Sequence, residues 1–286
     1  MDPRPETRTP FAPERQQLIA RLVQEHGRAR VGDLARRFGV SAVTIRKDLQ
    51  VLEDERRLIR AHGGAIAIDG NRPESSFEVR ERLKPDAKDR IGQLAATMVV
   101  DGESIAFDAS TTALAVARHL RARGGWVHLT VITNGLRIAQ ELAGIPGITV
   151  AMPGGFVRWE ALSVVGPLGD GLFRKVNVQK AFLGAAGFSL ESGLSDATEE
   201  EAQIKRSMAD AAQEVIGIVD SSKWGRSAFA TFCRLSDLSA VIADEAAPPE
   251  TVSALRSRGI DVHLASERGD GTAAGAPADA PTRADT

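Results

Sequence analysis

The chain has 286 residues, 43% of them hydrophobic and 26% charged, with a formal net charge of -2. This balance excludes a disordered or collagen-like chain, and the length allows two domains with a full core. A single cysteine, Cys233, excludes an internal disulfide and a cysteine-built zinc site. A reducing cytoplasm is therefore the expected location. Met1 to Pro10 lacks the apolar run of a signal peptide, and about 18 uninterrupted apolar residues occur nowhere, so no membrane association is expected.

Charge is unevenly placed. Residues 1–66 carry 13 Lys and Arg against 9 Asp and Glu, leaving 23 against 29 for the other 220. A basic segment of this size is common on solvated helices, so pattern has to decide whether it meets nucleic acid. After residues 1–11, expected to be disordered, Leu18, Ile19, Leu22 and Val23 share one face of a helix from Pro13 to His26. A second helix fits Val31 to Phe38, with Leu34, Ala35 and Phe38 as its buried stripe, and Gly39 supplies the turn. Ser41 is placed to cap a third helix from about Ala42 to Glu55, and Val40 to pack on Ile45 as a hydrophobic staple. Ile45, Leu49 and Leu52 form the buried stripe of that helix, leaving Thr44, Arg46 and Lys47 off it. Asp48 reads as an internal salt-bridge or cap residue. Leu58 to Ile66, two extended runs around Gly63-Gly64, reads as a hairpin or wing.

The run Phe38-Gly-Val-Ser-Ala-Val-Thr-Ile-Arg-Lys-Asp-Leu49, the segment Arg56 to Arg60 and His62-Gly63-Gly64-Ala65 resemble the winged helix-turn-helix of the DeoR family of bacterial transcription regulators. The resemblance implies a DNA-binding domain over 12–67. Because a recognition helix enters the major groove N-terminus first, Ser41, Thr44, Arg46 and Lys47 are expected to reach phosphates and base edges, and Arg60 and His62 to act from the wing. The bland reading of each alone is a solvated side chain, or for His62 a residue that holds the hairpin.

Residues 68–85, polar and proline-containing, read as an interdomain linker. From Asp86 to about 265, helical and apolar extended stretches alternate. The strands are expected at 104–107, 127–132, 148–151, 180–183, 214–219, 240–242 and 261–264. The helices are expected at 86–99, from Thr112, from Leu136, near 198–212 and at 249–258. Such alternation implies an α/β fold with a parallel sheet covered by helices. Residues 266–286 read as a disordered tail.

Ligands of such sheets sit at the C-terminal strand ends, where helix N-termini offer unpaired N–H groups. There lie Asp108-Ala-Ser110-Thr111-Thr112, Thr133-Asn134-Gly135 and Gly154-Gly155, whose hydroxyls and glycines suit a phosphate or, more plainly, cap helices. These segments, with Ala181 to Gly187, Glu200 to Lys205 and Asp220 to Lys223, resemble the motifs of the DeoR effector domain. That domain is similar to ribose-5-phosphate isomerase and is taken to sense a phosphorylated sugar. Ser110 stands where the family more often has glycine. The resemblance implies an effector site of Asp108, Ser110, Thr111, Thr112, Thr133, Asn134, Gly154, Gly155 and Lys223, with Asp108 contacting a hydroxyl and Lys223 a phosphate.

The expected function is a sequence-specific regulator, a repressor of sugar-metabolism genes, binding a double-stranded operator as a homodimer or higher oligomer. No cofactor, metal or catalytic residue is expected. The alternative is a sugar-phosphate isomerase with a DNA-binding head. It needs a carboxylate base, and the matching loop, Gly184-Ala-Ala-Gly187, has none. An RNA-binding or scaffold role would want aromatics among the basic residues of 1–66, where only Phe11 and Phe38 occur.

Overall fold

The computed structural model describes residues 11–26, 28–55, 57–61, 63–66 and 76–266. The first and last expectations, disorder at 1–11 and 266–286, fall almost wholly outside them. In the head, α1 (Ala12–His26), β1 (Arg28–Arg30), α2 (Val31–Phe38) and α3 (Ala42–Asp54) precede the hairpin of β2 (Ile59–Ala61) and β3 (Gly64–Ile66). Ile19, Val23, Leu34, Ile45, Leu49, Leu52 and Leu58 make one core. Gly39, at φ +62°, ends α2 in the left-handed conformation that glycine adopts without strain. Ser41 caps α3 by accepting a hydrogen bond from the Thr44 backbone N–H.

The wing has a third strand that the sequence pattern did not announce. β1 pairs with β3, giving the order β1-β3-β2. Arg-Ala-Arg carries no strand signature, and the pairing depends on Gly64, where a Cβ would lie 2.1 Å from the Ala29 carbonyl oxygen.

The larger domain begins with α4 (Phe77–Arg82) and α5 (Pro85–Thr97), followed by β4 (Ser104–Phe107), α6 (Thr111–Arg123), β5 (Leu129–Thr133), α7 (Leu136–Leu142) and β6 (Ile148–Ala151). Next come the antiparallel hairpin β7 (Phe156–Arg158) and β8 (Ser163–Val165), then α8 (Pro167–Phe173), β9 (Val178–Leu183), β10 (Gly187–Ser189), β11 (Gly193–Asp196), α9 (Glu199–Asp210) and β12 (Ala212–Ile218). After a 3-10 turn at Ser221–Lys223 come β13 (Ala230–Cys233), β14 (Ala240–Asp244), α10 (Pro249–Ser257) and β15 (Asp261–Ala265). Seven strands form one sheet in the order β15-β14-β12-β9-β4-β5-β6, parallel throughout. β10, β11 and β13 form a small antiparallel sheet beside it.

Alternate residues of each central strand feed two cores, as the pleat requires. Ile105, Phe107, Phe182, Ile216 and Ile218 pack with Ile91 of α5 and Leu114 and Leu120 of α6. Ala106, Ala181, Leu183 and Val215 pack with Ile204 and Met208 of α9 and Leu255 of α10. Helices α5 and α6 touch closely at Gly92, where a Cβ would lie 2.7 Å from the Ala115 backbone. Among the described residues no helix is long and apolar enough to cross a membrane.

The linker expected over 68–85 is not linker at its C-terminal end. Residues 77–82 form α4, whose Phe77 and Val79 are buried, with the Phe77 N–H bonded to the Glu160 carbonyl at 2.7 Å. Two apolar residues in six were too weak a pattern to reveal it. The hairpin and the small sheet, built from three- and four-residue strands, were likewise not anticipated.

Candidate functional site: a basic helix face and a charged strand-end cluster

Arg46 and Lys47 are exposed on α3, on the side away from buried Ile45 and Leu49. Ser41 is exposed and Thr44 half-buried, and their hydroxyls lie 2.9 Å apart, so both sit at the helix start. Asp48 is buried and accepts two hydrogen bonds from Arg15, at 2.6 and 3.2 Å, and one from Gln16 at 3.1 Å. It is the internal ion pair expected, and it fixes α3 against α1. The Arg60 guanidinium bonds Gln50 of α3 and its backbone N–H bonds Glu53, so this wing residue braces the recognition helix. His62 lies outside the described residues.

In the larger domain the order of the sheet reverses between β4 and β9, the adjacent pair whose chains leave in opposite directions. Ligand crevices of open parallel sheets form at such a point. Asp108 and Ser110 follow β4 there, and Gly184 follows β9. Ser110 Oγ donates to Asp108 Oδ1 at 2.8 Å and caps α6 by accepting from the Ala113 N–H. The Gly184 N–H donates to Asp108 Oδ1 at 3.0 Å. A Cβ on Gly184 would lie 2.4 Å from Ser110 Oγ, so the serine requires a glycine at 184. Thr111 and Thr112, both buried, open α6. Helix geometry leaves the first N–H groups of α6 without intrahelical partners.

Thr133 and Asn134 are fully buried at the end of β5, alongside the β4 loop: a Cβ on Gly135 would touch Ala109 at 3.0 Å. Thr133 Oγ1 accepts from the Gly135 N–H. Asn134 Nδ2 donates to the Val164 carbonyl at 3.2 Å, and its buried Oδ1 has no hydrogen-bond partner among the described residues. Gly154 and Gly155 are exposed. Gly155 has φ +151°, and a Cβ there would lie 2.4 Å from the Val165 carbonyl oxygen, so pairing of β7 with β8 accounts for it.

Three central residues were missed as site candidates. Lys205, on α9, is buried with its Nζ 2.6 Å from Asp108 Oδ2, beside Asp196, and 2.9 Å from the Gly184 carbonyl. Burial opposes its charge, but Asp108, Asp196 and Glu201 outweigh burial and hold its pKa above the ordinary lysine value. Burial likewise pushes Asp196 up, and Lys205 overcomes it, so this carboxyl stays below its usual range. Asp108 is therefore committed to Lys205, Ser110 and Gly184, which alters the expected picture of a carboxylate presented to a ligand hydroxyl. Glu201, one turn before Lys205, accepts from Arg158 at 2.9 Å and from Ser163, and burial raises its pKa. A glutamate and a lysine four apart on the apolar stripe of an amphipathic helix were the available signal.

Lys223 closes the 3-10 turn after β12. Asp220 caps that turn, and Asp244 accepts from the Ser221 N–H and hydroxyl. Burial lowers the Lys223 pKa, and the neighbouring Asp220 carboxylate opposes the shift without cancelling it. Lys88 of α5 is buried, donates to the Leu83 carbonyl at 2.6 Å and to that of Arg80, and is lowered to about 8 by burial. Among the described residues no group of His, Cys, Asp or Glu is arranged to hold a metal.

A winged helix-turn-helix joined to a parallel α/β sensor domain is the class these features define. Residues 15–71 match the DeoR-like helix-turn-helix domain and 83–245 the DeoR C terminal sensor domain. The chain belongs to the DeoR family. It is 38% identical to the uncharacterized HTH-type transcriptional regulator YulB of Bacillus subtilis, over 87% of this chain and 95% of that protein. It is 32% identical to the HTH-type transcriptional repressor GlcR of the same organism, over 91% and 99%. Ribose 5-phosphate isomerase A of Methanocaldococcus jannaschii shows a distant likeness, 18% identity and a TM-score of 0.37 over 49% of this chain and 54% of that chain, too slight to carry a functional argument.

Proposed function

We propose that this protein is a sequence-specific repressor of sugar-metabolism genes whose operator affinity is changed by a phosphorylated sugar. The observation that carries the reading is an unsatisfied polar site at the sheet's switch point. Among the described residues the buried Asn134 Oδ1 has no hydrogen-bond partner, and it lies against the loop from which α6 starts, while Asp108 and Asp196 are paired with Lys205. Arg46 and Lys47 supply the groove contacts, with Ser41 and Thr44 at the helix start and His62 in the wing; Thr111, Thr112, Thr133 and Gly154 border the effector. Arg60 positions the recognition helix in addition to any phosphate contact.

Binding without turnover fits the committed carboxylates. Asp108 and Asp196 neutralise Lys205 and Glu201 is held by Arg158, so each would have to leave a buried ion pair to act as a base. Assembly into a homo-oligomer is supported by exposed Phe156, Val157, Trp159 and Leu168, which form an apolar projection on the β7–β8 hairpin and the start of α8. The test is to select genomic fragments retained by the full chain and titrate the complexes with phosphorylated sugars. Release by one sugar phosphate, recovered chemically unchanged, is expected; consumption of the sugar phosphate without effect on DNA would favour an isomerase.

A further inference from the structure

The exposed side of α3 is a single stripe. Val43, Arg46, Lys47, Gln50, Val51 and Asp54 are exposed and recur three and four residues apart, while Ile45, Asp48, Leu49 and Leu52 are buried on the opposite side. The stripe changes character along its length. Towards its C-terminal end Gln50 is engaged twice, donating from Nε2 to Asp54 Oδ1 at 3.0 Å and accepting from the Arg60 guanidinium with Oε1. Its amide is taken up by the wing and by Asp54, whose own charge is repelled by phosphates. Base reading therefore falls to the N-terminal half, which holds two cations and a valine. Val43 is 59% exposed in the first turn, three and four residues before Arg46 and Lys47. The Thr44 N–H and hydroxyl are both tied to Ser41, which fixes that turn and with it the direction of Val43. A lone exposed valine is ordinary. This one lies in line with the two cations, at the end of the helix that enters the groove first, where a β-branched side chain adds neither core packing nor helix propensity.

We propose that Val43 is a specificity-determining residue of the DNA-binding head, which reads the C5-methyl group of a thymine close to the base met by Arg46. The inference rests on the function proposed above and names a base that the operator must hold. On the major-groove edge the thymine methyl is the apolar feature, whereas guanine offers acceptors and cytosine an amino donor. An aliphatic side chain packs on that methyl and leaves no polar group unpaired. Set against the cytosine amino group instead, the same valine would remove water from a donor without supplying a hydrogen bond in exchange. Spacing limits where the thymine lies. Three residues of helix advance about 4.5 Å and successive base pairs are about 3.4 Å apart, so the Val43 and Arg46 contacts fall within about two base pairs of each other. The Arg46 guanidinium suits guanine, so each half-site should hold a thymine within that distance of a guanine, on either strand.

The experiment uses the full chain and an operator recovered from the selected genomic fragments. Each thymine of a half-site is replaced in turn by deoxyuridine, which removes the methyl group and keeps every hydrogen-bonding group of the base. Affinities are measured for the parent, for Val43→Ala and, as a control on an exposed valine farther along the same stripe, for Val51→Ala. At one thymine per half-site, within about two base pairs of a guanine, loss of the methyl should weaken the parent about 3- to 10-fold. Val43→Ala should bind the thymine and deoxyuridine operators equally, and Val51→Ala should discriminate as the parent does. Alanine is the better helix former at an exposed position, so the melting temperature of Val43→Ala should not fall, which separates lost reading from lost folding. Methyl discrimination that survives unchanged in Val43→Ala would overturn the proposal, as would a parent indifferent to every thymine methyl of an operator it binds specifically. Either result leaves the proposed function standing. Selection of no specific sequence by the parent would overturn that function, and the role of Val43 with it.

Discussion

Replacing Lys205 by Met tests the centre of the sensor domain. The substitution keeps the length of the side chain and removes the cation in contact with two buried carboxylates, Asp108 at 0% exposure and Asp196 at 7%. Breaking a buried ion pair from one side costs about 3–5 kcal/mol, and a domain of this size loses roughly 2–4 °C per kcal/mol. The melting temperature of the sensor domain should therefore fall by about 6–20 °C at neutral pH. The pH dependence has a definite sign. In the parent the folded-state pKa of Asp196 is depressed, so its stabilisation is present above the unfolded value and lost as pH falls through the folded value. In the variant the strongest influence opposing the burial of Asp196 is gone, leaving the Ala197 N–H and the Arg80 charge, so burial favours the neutral carboxyl more strongly and acidification relieves its cost. The deficit should narrow steadily from pH ~7 toward pH ~4.5, above which unfolded carboxylates are largely ionised. Thermal unfolding followed by circular dichroism across this range measures it. A deficit under about 1 kcal/mol at neutral pH, or one that widens on acidification, would refute the buried-triad reasoning.

Arg46→Ala with Lys47→Ala should abolish specific operator binding, lower the salt dependence of residual binding by about two phosphate equivalents, and leave the melting temperature unchanged, because both side chains are exposed. Arg15→Met strands buried Asp48 and should destabilise the head by about 3–5 kcal/mol, seen as early loss of amide-exchange protection in residues 12–66 while the sensor domain stays protected. Lys223→Met should leave operator affinity without ligand intact and raise the sugar phosphate needed for release by about tenfold or more. Trp159→Ser with Phe156→Ser should lower the mass measured by light scattering at micromolar concentration; an unchanged mass would move the assembly interface elsewhere.

The head was legible almost to the residue because its signals are local. The Gly39 turn, the Ser41 cap and the Ile45, Leu49, Leu52 stripe each act within one helical turn. The sheet was legible for the same reason, since Ser104–Phe107 and Ile148–Ala151 are short apolar runs that each follow a helix. What escaped depends on partners distant in sequence. β1 becomes a strand only because Gly64 lets it approach β3, and α4 is a helix with few apolar residues that Glu160 and α6 hold in place. The role of Asp108 was misjudged similarly: it is joined to Lys205, nearly a hundred residues away, by a pairing that periodicity does not encode. Gly155 read as a ligand loop and serves a hairpin. Asn134, whose Oδ1 is left without a partner among the described residues, differs from an ordinary polar residue only in what it fails to meet.

Coupling between the two domains is the central claim, and linkage makes it measurable from both ends. If a sugar phosphate weakens operator binding by some factor, the operator must weaken sugar-phosphate binding by the same factor. The direct test is to measure the sugar phosphate's Kd by calorimetry on the free protein and on the operator complex, and the operator's Kd with and without saturating sugar phosphate. The two ratios should agree and lie in the range of about 5- to 150-fold typical of such switches. Equal sugar-phosphate affinity in the presence and absence of operator would contradict the account, however tightly each ligand binds by itself.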